Sequence, residues 1–320
     1  MKVKLWGVRG SLPSPQRPDQ VETRLTELLE RFDNERHTHA HAKAFMETLP
    51  LSVRYGFGGN TACVEVHEGP DRLIIDAGSG LRVLGEKLMR EGGSSEVHLF
   101  FTHFHWDHLI GLPFFPPVFI KGKTVHLYAV QPDLEECVRA LFKKPFFPVP
   151  FEELGGKLIF HRLEPRKKIR VQNFDVTPYE LDHPDPCWGY RIERDGKTYA
   201  HCVDTEATRV SREDMGLDAA LYENADLVLF DAQYTMMEAA EKMNWGHSAA
   251  PIGLEIALRE HVKKILFAHH DPGASDEKID DAERQTRDYL DAYTEQQRRS
   301  GKNTPTVEWS FAREGEELTL

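Results

Sequence analysis

The sequence contains few cysteines and no long apolar run. Its four cysteines (Cys63, Cys137, Cys187 and Cys202) are widely spaced and form no C-x-x-C pair. This spacing argues against a disulfide framework or a cysteine zinc site, so we interpret all four as buried or incidental thiols. The amino-terminal segment has no apolar stretch long enough for a signal peptide or a membrane span. We therefore expect a cytoplasmic protein without a membrane partner.

Basic residues are also fewer than acidic ones. Forty Lys and Arg residues face 52 Asp and Glu residues, which gives a formal net charge of -12. Long nucleic acid is disfavoured as a partner, because affinity for it comes largely from basic residues that neutralise phosphates. A small anionic substrate remains compatible, since bound divalent cations reverse the local charge.

Short β-branched and aromatic runs alternate with helical patterns along the 320 residues. Strands are predicted at 3–8, 62–66, 73–76, 97–102, 125–130, 158–163, 188–192, 199–203, 227–231 and 265–269. Helices are predicted at 79–91, 132–144, 249–260 and 276–299, several of which begin with Ser, Pro or Asp. The pattern indicates an α/β protein with more strands than simple alternation gives.

Residues 16–54 interrupt this pattern with a polar, charged segment that contains a predicted helix at 21–34. The alternating His37, His39 and His41 have no acidic or cysteine partner nearby, which favours a solvated loop or lid over a metal site. No Pro/Gly-rich linker divides the chain. We therefore predict a single domain over 1–320, with a helical insertion or lid at about 16–54.

The densest chemical signal is Thr-His-Phe-His-Trp-Asp-His at 102–108, directly after the apolar residues 99–101. In an extended backbone His103 and His105 project to the same side, and a turn through Trp106 directs Asp107 and His108 to a second position. Imidazole and carboxylate are ligands that zinc prefers and that manganese or iron share. Four candidate ligands in six residues favour a metal site over a chance cluster.

Three further residues could complete a site for two metal ions. His183 follows a strand-like run, and Asp204 ends a predicted buried strand, where a carboxylate could bridge two ions. His269 ends the predicted strand 265–269 and is followed by His270. Each lies where a strand would present it at an edge.

This arrangement resembles the metallo-β-lactamase superfamily of metal-dependent hydrolases, whose signature is the His-x-His-x-Asp-His run with distant His, Asp and His ligands. The resemblance spans nearly the whole chain. It implies two divalent ions, one held by His103, His105 and His183, a second held by Asp107, His108 and His269, and Asp204 bridging them. The choice of His269 over His270 follows the alignment of the motif.

The same resemblance implies the fold, an αββα sandwich in which two mixed β-sheets pack face to face between outer helices, with the site at one edge. It implies that Asp76 supports the metal ligands through hydrogen bonds, a structural rather than a catalytic role. Because relatives of this kind often dimerise around the site, a homodimer is a further expectation.

The segment 245–250 resembles the Gly-His-Ser segment of ribonuclease Z and its phosphodiesterase relatives, which makes His247 the candidate general acid. The alternative is that His247 only precedes a helix capped by Ser248. Segments 6–11 and 58–61 resemble loops near the site of small-molecule phosphodiesterases, although glycines serve tight turns equally well. From these loops we take Arg9, Ser11, Asn60 and Thr61 as candidate substrate-binding residues.

Two departures from ribonuclease Z favour a small substrate. Trp106 stands where ribonuclease Z usually carries glycine, and no Gly/Pro-rich basic arm for transfer RNA is evident. We therefore predict a phosphodiesterase acting on a small phosphodiester such as a cyclic nucleotide. Alternatives are a ribonuclease Z-like endonuclease, a lactonase or thioesterase of the same fold, or a metal-binding sensor without catalysis.

The expected mechanism is attack on phosphorus by a hydroxide shared between two ions, most favourably zinc, with manganese or iron as alternatives. Asp107 and Asp204 orient the hydroxide, and His247 donates a proton to the departing oxygen.

Overall fold

The structure is a computed structural model that describes residues 1–35, 41–54, 56–92, 94–302 and 306–320. The strands in these ranges are β1 (Lys2–Gly7), β2 (Cys63–Glu68), β3 (Asp71–Ile75), β4 (Glu96–Phe100), β5 (Thr124–Ala129), β6 (Lys157–Arg162), β7 (Ile169–Val171), β8 (Phe174–Glu180), β9 (Trp188–Arg194), β10 (Lys197–Cys202), β11 (Leu227–Asp231), β12 (Lys264–Ala268), β13 (Glu308–Phe311) and β14 (Glu317–Thr319). The α-helices are α1 (Pro18–Glu35), α2 (Ala42–Thr48), α3 (Leu51–Arg54), α4 (Gly80–Arg90), α5 (Trp106–Leu109), α6 (Leu134–Leu141), α7 (Arg212–Met215), α8 (Met236–Glu241), α9 (Ala250–Arg259) and α10 (Asp276–Arg299). Short 3-10 helices lie at Leu112–Phe114, Pro116–Phe119, Phe151–Glu153 and Gly216–Leu221.

The strands form two seven-stranded sheets, ordered β14-β1-β2-β3-β4-β5-β6 and β13-β12-β11-β10-β9-β8-β7. In the first sheet β3 to β6 are parallel, whereas β14, β1, β2 and β3 pair antiparallel. In the second, β10 to β13 are parallel and β7 to β10 pair antiparallel. Both sheets are therefore mixed, as predicted.

The main apolar core lies between the two sheets. Phe100 and Tyr128 of the first sheet pack there with Tyr190 and Leu229 of the second. Because successive side chains on a strand point to opposite faces, the other faces of both sheets carry apolar cores of their own, covered by helices such as α4 and α9. The order of layers is helix, sheet, sheet, helix, which confirms the predicted αββα sandwich.

The predicted strands and helices are all present, with shifts of a few residues at their ends. Strands β7, β8, β13 and β14 are absent from the prediction. Three of them contain only three or four residues, and β8 carries Asp175, Thr177 and Pro178 within its seven residues. Short or polar strands give a weak hydrophobic pattern, since their pairing partners rather than their own side chains hold them in place.

The described part of residues 16–54 contains helices α1 to α3, and their being an insertion stays a prediction. This segment carries a small apolar cluster of its own around Phe45, Leu49 and Val53. Arg24 of α1 lies 3.9 Å from Asp276 at the start of α10. His41 caps α2 by accepting from the backbone N–H of Ala44, whereas His37 and His39 lie outside the described residues. The lid role and the single-domain organisation stay predictions.

None of the helices in the described ranges combines the length and the apolar character that a membrane-spanning helix requires.

Candidate metal centre

Strands of both sheets end at the edge that carries the predicted ligands. The run 103–108 follows β4, Asp204 follows β10 and His269 follows β12. His183 follows β8, which runs in the same direction as β10 because both pair antiparallel with β9. Residues far apart in sequence therefore meet at one end of the sandwich, where carboxyl ends of strands form a binding crevice.

Three of the residues at this edge have an unusual backbone conformation. The φ angles of Asp76, Asp204 and His269 are 63°, 62° and 65°. Residues other than glycine rarely adopt this left-handed region, although Asp, Asn and His do so more readily than most. Such strained positions concentrate at functional sites, where surrounding contacts stabilise them.

His103, His105, His183 and Asp204 form the first ligand group. One side-chain nitrogen or oxygen of each lies within 4.8 Å of those of the others. The ring centroids of His103 and His105 both lie 4.8 Å from that of His183. This is the group that the family resemblance assigned to one ion together with the bridging carboxylate.

Asp107, His108 and His269 form the second ligand group, again with one candidate atom each within 4.8 Å. Asp204 Oδ2 lies 2.9 Å from Nε2 of His108 and 3.1 Å from Nε2 of His269. The other oxygen, Oδ1, lies 3.8 Å from Nε2 of His103. Asp204 thus stands between the two groups, as a bridging carboxylate would.

The chemistry of these residues fits divalent cations. Nε2 of His103, His108 and His183 and Oδ2 of Asp204 are buried and make no hydrogen bond. Buried polar atoms without partners are rare in folded proteins because each loses its hydration without compensation. A metal ion bound by these nitrogen and oxygen atoms would satisfy all of them.

The second ring nitrogens of His108 and His103 are held by hydrogen bonds. Asp76 Oδ2 lies 2.9 Å from Nδ1 of His108, and the Thr102 hydroxyl donates to Asp76 and lies 3.0 Å from Nδ1 of His103. Such contacts fix the orientation of a ligand ring and direct its lone pair toward the metal. The structure brings Asp76 to the position that the sequence predicted.

Asp185 is a supporting residue that the sequence did not indicate. Its carboxylate lies 2.8 Å from Nε2 of His105, so Nδ1 is the nitrogen that remains for a metal. Its carbonyl oxygen lies 3.1 Å from Nδ1 of His183. Asp185 therefore orients two ligands from one short turn, a pairing that only the folded chain reveals.

The charges at the site favour a neutral His103 and an ionised Asp107. Burial and the neighbouring imidazolium of His108 hold the pKa of His103 well below its ordinary value, so its ring is neutral. Burial alone would raise the pKa of Asp107, but His108 outweighs it and holds this pKa well below the usual range. Neutral imidazole and ionised carboxylate are the forms that bind metal. At His108, burial is outweighed by the carboxylates of Asp204, Asp107 and Asp76, which raise its pKa, so a cation bound there would displace its proton.

His247 lies beside the ligands and is bonded to Asp231, at the end of β11. Asp231 Oδ2 lies 3.0 Å from Nδ1 of His247, and Asp231 Oδ1 accepts from the backbone N–H of Ser248. Burial lowers the pKa of His247, but the carboxylates of Asp231 and Asp204 outweigh burial and raise it to about 9. The imidazolium form, a proton donor, is therefore favoured, and cations at the neighbouring ligands would bring the pKa back toward neutrality.

Sequence reasoning missed the role of Asp231, although the signal existed. Like Asp204, Asp231 is a carboxylate at the end of a buried strand. It also accepts from the backbone N–H of Asp204 at 3.2 Å and lies 3.4 Å from Nδ1 of His269. One carboxylate therefore orients both the candidate acid and a metal ligand.

The turn before His247 is fixed against the first ligand group. Glu206 accepts from the backbone N–H groups of Asn244 and Gly246. Gly246 has a φ of 85°, and a Cβ atom there would lie 2.4 Å from Cδ2 of His183. Only glycine allows the backbone to lie this close to the His183 ring, and the preceding residue, Trp245, is therefore next to the site.

Of the predicted substrate-binding residues, only Ser11 lies at the centre, where its backbone N–H donates to Asp107 at 2.8 Å. Arg9 is 4% exposed and donates to the carbonyl oxygens of Gly58, Asp271 and Ala274. In the structure the Arg9 side chain therefore holds neighbouring loops together, and its role in substrate binding stays a prediction.

Asn60 and Thr61 also make contacts within the protein. The Asn60 side chain forms hydrogen bonds with Glu314 and Ser79, and Thr61 is fully buried. The glycines of these loops allow two backbones to approach, since a Cβ on Gly7 would lie 1.9 Å from the carbonyl oxygen of Thr61. Sequence alone does not separate this use of glycine from close approach to a ligand.

The structure distinguishes the adjacent histidines at the end of β12. His269 joins the second ligand group, whereas Nε2 of His270 donates to the carbonyl oxygen of Ala312 at 2.8 Å. The ring of His270 packs beside Phe311, and burial lowers its pKa to about 3. His270 is therefore a neutral packing residue.

Comparisons with known proteins agree with this architecture. Residues 71–270 match the family described as Beta-lactamase superfamily domain. A ribonuclease Z of Gemmatimonas aurantiaca is 27% identical over 279 residues, which cover 69% of this chain and 86% of the relative. A diphosphatase from the PhnP family superposes with a TM-score of 0.62 at 17% identity, over 100% of this chain and 97% of that one. Zn2+-bound PqqB from Methylobacterium extorquens gives a TM-score of 0.61 at 16% identity, over 100% of both chains.

The solved structures, at these identities, support the fold. The ribonuclease Z match concerns an enzyme named for RNA, and it weakens the expectation from net charge that long nucleic acid is disfavoured. The family match covers most of the chain and includes every candidate metal ligand. The chain therefore belongs to the beta-lactamase superfamily, and the predicted metal-dependent hydrolase of the metallo-β-lactamase fold is confirmed.

Proposed function

We propose that the protein is a binuclear metal-dependent phosphodiesterase that hydrolyses a small phosphodiester such as a cyclic nucleotide. The observation that carries this proposal is His247, bonded to Asp231 at 3.0 Å and placed beside a full set of metal ligands. Breaking a phosphodiester releases an alkoxide that needs a proton, and a buried imidazole held on a carboxylate is suited to supply it. A lactonase or thioesterase of the same fold would not need this residue.

Two divalent ions, zinc foremost and manganese or iron as alternatives, would supply a low pKa for a water molecule and neutralise phosphoryl oxygens. They would be held by His103, His105, His183, Asp204, Asp107, His108 and His269. Asp107 and Asp204 accept hydrogen bonds from the attacking water and orient it toward phosphorus. His247 carries its transferable proton at Nε2, because Nδ1 is bonded to Asp231.

Two exposed tryptophans support a nucleotide as the substrate. Trp106, 67% exposed, stands between the ligands His105 and Asp107, and Trp245, 64% exposed, precedes the glycine that touches His183. Single exposed apolar side chains are common on protein surfaces, so the support comes from the position of both rings beside the candidate ligands. Exposed aromatic faces stack on nucleobases with little sequence preference.

A ribonuclease Z-like endonuclease is the second candidate, favoured by the Gemmatimonas aurantiaca relative. The net charge of -12 and the bulky Trp106 argue for a smaller substrate. The homodimer around the site likewise stays a prediction.

The deciding experiment is a substrate panel assayed with added Zn2+ or Mn2+. It contains cyclic mononucleotides, cyclic dinucleotides, bis-p-nitrophenyl phosphate, precursor transfer RNA and a lactone. We expect hydrolysis of the small phosphodiesters by the wild-type protein and none by an Asp107→Asn, His108→Gln variant. Cleavage of precursor transfer RNA alone would establish the endonuclease, and cleavage of the lactone alone would refute a phosphodiesterase.

We expect Trp106→Ala to raise KM for a cyclic nucleotide by about tenfold with little change in kcat, since stacking on one base contributes roughly 1 to 3 kcal/mol. Trp106→Phe retains an aromatic face and should change KM far less. Steady-state kinetics on both variants make the measurement. Equal KM values for the alanine variant and the wild-type protein would remove Trp106 from the substrate site.

A further inference from the structure

A row of imidazole and phenol rings crosses β4, β5 and β6 on the face that points between the sheets. His98 pairs in register with His126, and Tyr128 pairs with His161. These residues share one face because alternate residues of a strand point the same way, and Phe100 and Tyr128 mark that face as the inner one. Glu96, two residues before His98, belongs to the same face near the start of β4, away from the edge that holds the catalytic ligands.

The rings in this row are closely stacked. The ring centroids of His98 and His126 lie 4.7 Å apart with an interplanar angle of 12°, and those of His126 and His161 lie 5.2 Å apart at 25°. A neutral imidazole has a lone pair on one ring nitrogen, which can be offered to a cation.

We propose that Glu96, His98 and His126 form a separate binding site for a borderline divalent cation such as Zn2+. One candidate ligand atom of each lies within 4.8 Å of those of the other two. Nε2 of His126 lies 4.0 Å from Oε1 of Glu96 and is buried without a hydrogen-bond partner. Two imidazoles and a carboxylate are a common ligand set for zinc, with the remaining position taken by water.

The second nitrogens of both rings are held in the way expected of metal ligands. Nδ1 of His98 lies 3.0 Å from the Tyr128 hydroxyl, and Nδ1 of His126 lies 2.9 Å from Nε2 of His161. When each Nδ1 donates to its partner, each Nε2 carries the lone pair. The same arrangement holds the catalytic ligand His108 on Asp76, where the outer contact sets the tautomer.

The carboxylate of this group is the ligand that can move. Glu96 is 58% exposed, so its carboxylate can close on the ion from solvent at little cost in packing.

The test is the number of zinc ions per chain in the full-length protein, after equilibration with Zn2+ and removal of the unbound ion. We expect His126→Gln to bind one zinc fewer than the wild-type protein while phosphodiester hydrolysis stays within about twofold. Glu96→Gln, a change at an exposed side chain, should weaken the same ion by about tenfold in a zinc titration. His67→Gln is the matched control, because His67 lies on β2 beside Glu317 and outside the stack.

Equal zinc content in wild-type protein and a folded His126→Gln variant would overturn the proposal. An unchanged zinc titration of Glu96→Gln would also overturn it, even if His126→Gln failed to fold. A loss of zinc from the His67→Gln control equal to that from His126→Gln would show nonspecific binding by surface histidines and would refute the site. None of these outcomes depends on which substrate the enzyme hydrolyses.

Discussion

Replacing Asp204 by asparagine is expected to lower the turnover of a small phosphodiester by about 10³-fold and to reduce the metal content of the protein. Asp204 lies between the two ligand groups, with Oδ2 2.9 Å from His108 and 3.1 Å from His269 and Oδ1 3.8 Å from His103. An amide keeps the shape of the side chain but removes the negative charge that two cations would share. Both ions should therefore bind more weakly.

The measurement combines metal analysis with single-substrate kinetics. Asp226→Asn is a suitable control, because Asp226 is a largely buried aspartate that lies just before β11, away from the metal centre. Its carboxylate accepts hydrogen bonds from Thr198 and Lys263. The control should retain its metal and its turnover. Full metal content and unaltered turnover in the Asp204 variant would contradict the bridging role.

Replacing His247 by glutamine is expected to lower turnover of a cyclic nucleotide by about 10²-fold without loss of metal. The ring donates its Nδ1–H to Asp231 and is 9% exposed, so its removal deletes a positioned proton donor but no proposed metal ligand. Metal content therefore separates this variant from the Asp204 variant.

Substrates with different leaving groups test directly whether His247 acts as the acid. An alkoxide from a sugar needs a proton as it departs, whereas p-nitrophenolate is a stable anion and departs without one. The His247→Gln variant should thus lose much less activity toward bis-p-nitrophenyl phosphate than toward a cyclic nucleotide. Equal losses on both substrates would indicate that His247 positions other groups and does not act as the acid.

The metal ligands were predictable because their signal is local or lies at strand ends. The run from His103 to His108 is continuous in sequence, and Asp204 and His269 each end a strongly apolar strand. The fold brings these ends together through parallel pairing, which the resemblance to a known family supplied in advance. The structure consequently brings the predicted ligands together, and their binding of metal stays a prediction.

The supporting residues were not predictable in the same way. Asp185 lies in a turn and Asp231 at a strand end, and their importance arises from which histidine nitrogen each one meets in the folded chain. Arg9 and Asn60 show why polar residues in such loops are hard to interpret from sequence. Polar residues in glycine-rich loops suggest a ligand, but the hydrogen bonds of these two residues hold neighbouring loops together.

The left-handed backbone at Asp76, Asp204 and His269 affects which substitutions are informative at these positions. At a positive φ, alanine is less favourable than glycine, which has no Cβ atom, and less favourable than Asn, Asp or His, which adopt this region more readily than other residues. An alanine scan would therefore mix a cost of folding with a loss of catalysis at these three positions. Asparagine and glycine tolerate the turn, so comparing them with alanine at each position would separate the side chain that reacts from the backbone that presents it.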